Sequence, residues 1–402
     1  MRRLLPPASR LAPPGEHTAT FWLLLSVITV LNLFGLVMVL SASSVVALGE
    51  TGSTWSYFTR QSLWAVVGTI GLLVFLYVDR RFWRKTAKVG FGVVLLLLVA
   101  VLVPGVGVSV NGASRWLGAG PFQIQPSEFA KFGLLLFLAD LLARRAREMR
   151  RPSRTFWPAI AALAAIAVLV IAQPHLGTTI ILASIVFALL YVAGTHVGRL
   201  GAVASLTAVG VAVMVLGTSF RRARFFIFLN PWADPQNAGF QNLQALVALG
   251  SGGMFGLGLG ASRAKWEYLP FAQTDFIFAI IGEELGLVGA VLVLSLYVAL
   301  AVLGVRVAMH AADRFSMLVA VSITTWLTVQ AFMNMGMVVG VLPITGVPLP
   351  FVSFGGSSLL VTMSAAGLLL NIARHPRTLP ETSNRRRRAD VTCAPKRALS
   401  RT

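Results

Sequence analysis

Ten stretches of this 402-residue chain are long and apolar enough to cross a bilayer, and short basic clusters separate most of them. They lie near 20–42, 60–78, 86–103, 127–144, 157–173, 177–194, 199–218, 275–304, 315–340 and 354–373. A spanning helix needs roughly 20 apolar residues. Within lipid every backbone group must find its partner inside the chain, which restricts such stretches to helices. The expected fold class is therefore all-α: a polytopic integral membrane protein with ten transmembrane helices. Composition agrees, at 56% hydrophobic and 12% charged, against roughly 45–50% and 25% in soluble domains. Those figures exclude a soluble enzyme, a disordered chain and a nucleic-acid-binding domain. The net charge of +20 belongs to basic loops beside a membrane, because the charges cluster between the apolar stretches.

Basic residues also orient the chain. With the N-terminus in the cytoplasm, 26 of the 34 Lys and Arg residues face inward, including Arg80, Arg81, Arg84, Lys85 and Lys88. Both termini are then expected on the cytoplasmic side of the cytoplasmic (inner) membrane. Residues 1–19 read as an N-terminal tail, 20–374 as the membrane domain and 375–402 as a basic, disordered tail. The first apolar run follows Pro13 and Pro14 and reads as a retained signal anchor. Residues 240–260 could imitate an eleventh span, but Gln241, Asn242, Gln244 and a glycine-rich second half make a poor helix in lipid. They are expected within a large, folded extracytoplasmic loop, 219–274, between helices 7 and 8; a smaller exterior region covers 104–126. Cys393 is the single cysteine, so neither an intrachain disulfide nor a thiolate metal cluster can form.

Polar groups at the membrane's outer edge are where function is to be sought. Asn111 to Leu117 (NGASRWL) places Arg115 beside Trp116, and Gln125 to Lys131 (QPSEFAK) follows. Ser127 has the chemistry of a helix N-cap. Glu128 and Lys131, three apart, share a helix face and can neutralise each other. The group reads either as an interfacial anchor with a compensated helix end, or as a cationic site for an anionic headgroup such as a diphosphate. Asp275, in Pro270 to Phe278 (PFAQTDFIF), is expected in the first turn of helix 8, where Thr274 or Asp275 could simply cap it. Glu283 and Glu284 follow about 12–14 Å deeper, and carboxylates at that depth need a cavity or cations, for which Arg115 and Lys131 are available. Leu342 to Ser358 (LPITGVPLPFVSFGGSS) cannot be a regular helix and must form an exterior capping loop, with Gly355 and Gly356 admitting a close neighbour or a ligand. His175, in a short exterior turn, lacks metal-ligand spacing. There is no GxxxxGK[ST], HExxH or GxSxG, which leaves ATP-driven transport, zinc proteolysis and nucleophile-elbow hydrolysis without support.

Taken together, these clusters resemble the SEDS family (shape, elongation, division and sporulation proteins), which includes FtsW and RodA. The resemblance runs from about residue 20 to 374 and is carried by residues 111–131, 230–253, 267–289 and 342–358. NGASRWL and AIIGEELGLVG are closer to the division branch than to the elongation branch. The resemblance implies a peptidoglycan glycosyltransferase that polymerises lipid II (undecaprenyl-diphosphate disaccharide-pentapeptide) at the outer membrane face, for septal cell-wall synthesis. It also implies a class B penicillin-binding protein as transpeptidase partner and other divisome membrane proteins nearby, with no nucleic acid.

Residue by residue, the family's aspartate falls on Asp275, implied to be catalytic. Substrate contact is implied for Arg115, Gln125, Ser127, Glu128 and Lys131, for Glu283 and Glu284, and for Ser353, Gly355, Gly356, Ser357 and Ser358. The chain departs from the family pattern at Phe271, Gln273 and His175. Asp275 would accept the proton of, or orient, the acceptor hydroxyl. Arg115 and Lys131 would stabilise the leaving diphosphate. No cofactor is fixed by the sequence; a divalent cation, Mg²⁺ or Mn²⁺, is compatible with this chemistry, and its ligands stay unassigned. The competing readings are a lipid II flippase relying on Glu283, Glu284 and Asn334, a non-catalytic scaffold, and an elongation polymerase of the RodA type.

Overall fold

The computed structural model describes residues 18–375, except 111–112, 119–122, 150, 218–221, 223–226, 238 and 267. Both expected tails lie almost wholly outside the described residues.

The chain is mostly helical. In order come α1 (Ala19–Thr51), α2 (Ser56–Tyr77), α3 (Arg80–Leu102), α4 (Pro126–Arg144), α5 (Phe156–Ala172), α6 (Leu176–Ala193), α7 (Val197–Leu216), α8 (Phe240–Ser251), α9 (Ile277–Met309), α10 (Arg314–Val338) and α11 (Gly356–Arg374). Seven of these, α1, α2, α3, α6, α9, α10 and α11, are long and apolar enough to cross a membrane. α5 is apolar but shorter, and α4 carries Glu128, Lys131 and Asp140, all buried. α8 has 12 residues, about 18 Å at 1.5 Å per residue, short of a 30 Å core. The one sheet among the described residues is an antiparallel hairpin, β1 (Val108–Val110) with β2 (Ala113–Trp116), pairing Val108 with Trp116.

Of the seven long, apolar helices, α10 and α11 are the most enclosed; α10 packs on α9, α6 and α4, and α11 on α2. The α2–α11 contact is close because its crossing lacks a side chain: a Cβ on Gly367 would stand 2.2 Å from the Leu72 carbonyl oxygen. Lipid tails offer no hydrophobic drive for helices to associate, so such backbone proximity carries the packing. At the end of α4, Asp140 is neutralised by Arg84 (2.9 Å) and Arg144 (2.7 Å). These contacts bring the ends of α2, α4, α6, α9, α10 and α11 around the loop that joins α10 to α11.

Candidate active site

That loop, residues 342–355, has no regular structure, as its prolines require. Its carbonyls cannot pair within a helix, so neighbouring side chains supply the donors. Gln330 Nε2 donates to the Pro348 carbonyl (2.9 Å) and Asn334 Nδ2 to that of Val347 (2.8 Å). Gln61 of α2 donates to the Ser353 carbonyl (3.2 Å) and accepts from the Gly355 N–H (3.2 Å). The Tyr297 hydroxyl of α9 donates to the Pro350 carbonyl. Gln330 and Asn334 are four apart on one helix face. Sequence reasoning gives Gln330 no role and takes Asn334 only as a polar group for transport; two amides four apart in a membrane span are the signal that could have found the pair.

Asp275 is stapled to this loop. It lies in the turn 271–276, ahead of α9, whose N-cap is Phe276 with no side-chain cap bond. Neither Thr274 nor Asp275 caps the helix, which corrects the expectation of a first-turn aspartate. The Asp275 carbonyl accepts from Asn334 Nδ2 (2.8 Å), and the Thr274 carbonyl accepts from Ser353 Oγ (2.6 Å). Ser353 Oγ in turn accepts from the Leu349 N–H (2.8 Å), and the Phe354 N–H donates to the Gln273 carbonyl (3.0 Å). The carboxylate is half-buried beside Gly346, where a Cβ would stand 3.6 Å from Oδ2.

α4 begins differently from expectation. Gln125 is its N-cap residue, without a side-chain bond, and Pro126 opens the helix. Pro at the first helical position costs no intrahelical donor. Ser127 is displaced into the first turn, buried, with no hydrogen-bond partner for Oγ among the described residues. Lys131 Nζ meets both Glu128 carboxylate oxygens (2.8 and 2.9 Å) and Gln330 Oε1 (2.8 Å), and lies 4.9 Å from the Trp326 ring centre. Lys131 is 0% exposed, so it sits inside the bundle and not at its rim.

Arg115, on β2, stands half-buried and donates to the carbonyls of Gln173 and Pro174, each at 2.8 Å. It thereby grips the α5–α6 turn. His175 of that turn is the N-cap of α6, its Nδ1 accepting from the Thr178 N–H and lying 2.9 Å from Thr178 Oγ1. Burial, then Arg115, pushes the His175 imidazole down to about 4, so it is neutral and free to accept. Next to it, a Cβ on Gly177 would stand 2.8 Å from the Thr345 carbonyl oxygen. Arg115 and Asp275 thus approach the same loop from two sides.

Glu283 and Glu284 find other partners than Arg115 and Lys131. Glu283 accepts from Ser262 Oγ (2.5 Å) and from the N–H groups of Arg263 (2.9 Å) and Ala264 (3.3 Å). Glu284 accepts from Ser41 Oγ (2.6 Å) and lies 3.6 Å from Lys265 Nζ. Both are buried and tie residues 262–265 to α9. At the start of α11, Ser357 Oγ accepts from the Gln125 N–H (3.3 Å), and Gly356 abuts the Trp64 indole, so a neighbouring side chain occupies that close approach. Gly355 and Ser358 are half-buried. Among the described residues, no three His, Cys, Asp or Glu side chains gather into a metal-holding group.

The geometry can now be set beside known proteins. The family described as "Cell cycle protein", comprising FtsW, RodA and SpoVE, matches residues 21–378. The chain belongs to this family. It is 41% identical over 356 residues to stage V sporulation protein E of Bacillus subtilis, covering 88% of this chain and 97% of that one. It is 42% identical over 361 residues to the probable peptidoglycan glycosyltransferase FtsW of Mycobacterium tuberculosis, covering 90% and 69%. Among solved structures, a chain of a peptidoglycan synthase complex superposes with a TM-score of 0.73 at 30% identity, covering 88% and 97%. The rod shape determining protein RodA of Thermus thermophilus follows, with a TM-score of 0.66 at 30% identity, covering 88% and 96%.

Proposed function

We propose that this protein is a peptidoglycan glycosyltransferase that polymerises lipid II into glycan strands at the outer face of the cytoplasmic membrane, in septal synthesis. The observation that carries this reading is the turn 271–276. It holds Asp275 outside α9 through backbone bonds to Asn334 and Ser353 and leaves the carboxylate at a half-buried edge. In this reading ten helices span the membrane, α8 does not, and both termini are cytoplasmic.

Asp275 accepts the proton of the acceptor hydroxyl as that oxygen bonds to the anomeric carbon of the donor. The bond from that carbon to the diphosphate breaks, and the lipid diphosphate leaves with the electron pair. Arg115, at the rim, offers a fixed positive charge to the departing group. Lys131 is enclosed and braces the loop instead, through Gln330. A transport reading would route a headgroup past Glu283, Glu284 and Asn334. These side chains are engaged by residues 262–265, by Ser41 and by the carbonyls of Asp275 and Val347, which favours the enzyme. The likeness to a chain of a peptidoglycan synthase complex that coordinates polymerisation with crosslinking supports a class B penicillin-binding protein as partner.

The test is polymerisation of labelled lipid II by the purified protein with its class B partner, beside Asp275→Asn. Glycan ladders are expected from the wild type only. Ladders from both would remove Asp275 from the chemistry, and ladders from neither, with a working partner, would turn the reading to transport or scaffolding.

A further inference from the structure

α9 is interrupted at Gly286, whose φ of 67° and ψ of −165° are not helical. A break there frees the amides of Leu287 and Val288 and the carbonyls of Glu283 and Glu284, which would otherwise pair with each other. The segment after α8 takes up all four. Leu287 N–H donates to the Gly253 carbonyl (2.9 Å) and Val288 N–H to that of Met254 (3.2 Å); Leu257 N–H donates to the Glu283 carbonyl (3.0 Å) and Gly258 N–H to that of Glu284 (3.0 Å). The fit needs bare backbone: a Cβ on Gly256, at φ +82°, would stand 2.1 Å from the Glu284 carbonyl oxygen. Residues 252–259 are thus a fixed part of α9 at this level, although they belong to the connection between α8 and α9.

Their side chains point away from the bundle. Phe255 is 82% exposed and Leu259 62%, with Met254 and Leu257 exposed beside them. On α9, residues 277–284 are buried, and an exposed apolar stripe begins at Leu287 and Val288 and continues through Val291, Leu292, Val298, Val302 and Val305. From Leu287 to Val305 this stripe runs about 27 Å at 1.5 Å per residue, close to the roughly 30 Å of a hydrocarbon core. The turn therefore stands at the upper end of a lipid-facing stripe and continues it. Trp266 and Tyr268, also exposed, are the residue types found at the membrane–water boundary.

We propose that the 252–259 turn is a membrane-inserted anchor: Met254, Phe255, Leu257 and Leu259 lie among the acyl chains at the top of the outer leaflet. The occupant is argued from continuity with the exposed stripe of α9 and from the four backbone bonds between the turn and α9, which lower the cost of placing irregular chain at the lipid boundary. The anchor would fix the connection leading to Asp275 at a constant depth.

The test does not depend on activity. In a Cys393→Ser background, Phe255→Cys and, at the exposed polar edge, Asn237→Cys are labelled with bimane and reconstituted in vesicles. Lipids brominated high on the acyl chain should quench the label at 255 about twofold, as expected for a side chain at the headgroup–acyl boundary, while aqueous iodide quenches it little. At 237 the pattern should reverse. Iodide quenching at 255 equal to that at 237 would place the turn in water and overturn the proposal. Protection from both quenchers would mean that a protein surface, such as a second copy, covers the turn, and would overturn it equally. Leu259→Cys, at a second exposed position, guards against a local effect of the first substitution.

Discussion

The side-chain amide of Asn334 donates to the backbone carbonyl of Asp275 and, with its second hydrogen, to that of Val347, both at 2.8 Å. One fully buried amide thus ties the proposed catalytic turn to the loop that organises the site. Asn334→Leu keeps the volume and removes both bonds. At about 1 kcal/mol each, the expected loss is on the order of 30-fold in the rate of glycan formation. Asn334 touches backbone and not substrate, so kcat should fall with KM nearly unchanged. Rates measured across lipid II concentrations check this; a pure KM effect would assign Asn334 to substrate binding instead.

Glu128 and Lys131 form a buried ion pair with no exposed edge. Breaking a buried pair from one side leaves a charge uncompensated, at a cost of about 3–5 kcal/mol. Lys131→Met and Glu128→Gln should each strongly lower the thermal midpoint in detergent. The double variant should be markedly more stable than the sum of the two losses predicts, and a double-mutant cycle reads this coupling directly.

Glu283 holds residues 262–264 through two backbone N–H groups and a serine hydroxyl. Glu283→Gln keeps the shape and removes the charge-assisted bonds, which are about twice as strong as neutral ones. Arg263 is exposed, so tryptic cleavage after it should accelerate by roughly tenfold as the segment opens more often. Unchanged cleavage would show that the carboxylate does not hold this segment.

His175 makes stability depend on pH. Its folded value of about 4 lies below its ordinary 6.5, so the unfolded chain binds the proton first. Stability is full above about 6.5 and is lost as pH falls toward 4, by up to roughly 3 kcal/mol. Protonation at Nδ1 also removes the cap on α6. Thermal unfolding between pH 7 and 4 should show the decline in the wild type and less of it in His175→Asn, whose amide oxygen can cap without titrating.

Apolar runs in the sequence correspond to helices α1 to α7 and α9 to α11 because the run lengths are a local property, set by what a bilayer and an unbroken backbone allow. The Glu128–Lys131 pair was legible for the same reason, as residues three apart on a helix must meet. Where the reading went astray, a distant segment decided. Ser127 and Asp275 have capping chemistry, yet Gln125 and Phe276 hold the cap positions. The first shift follows from Pro126 at the head of α4, and the second from a turn clamped by Asn334 and Ser353, 59 and 79 positions away. Glu283 and Glu284 invited partners from Arg115 and Lys131, but the chain folding back after α8 reached them first.

The sequence by itself determined the membrane class, the family and the residue types that the chemistry requires, since hydropathy, charge placement and motif order are all written along the chain. Tertiary structure alone decided which polar groups serve the site and which serve the scaffold. Lys131 and Glu283 have the composition of ligand-binding residues, and only their burial and bonding turn them inward. Arg115 and Asp275, 160 positions apart in the sequence, reach one loop because buried amides, a serine and the α5–α6 turn hold its irregular backbone. A buried backbone group must be paired wherever its partner lies, and that partner can be named only when the chain has folded.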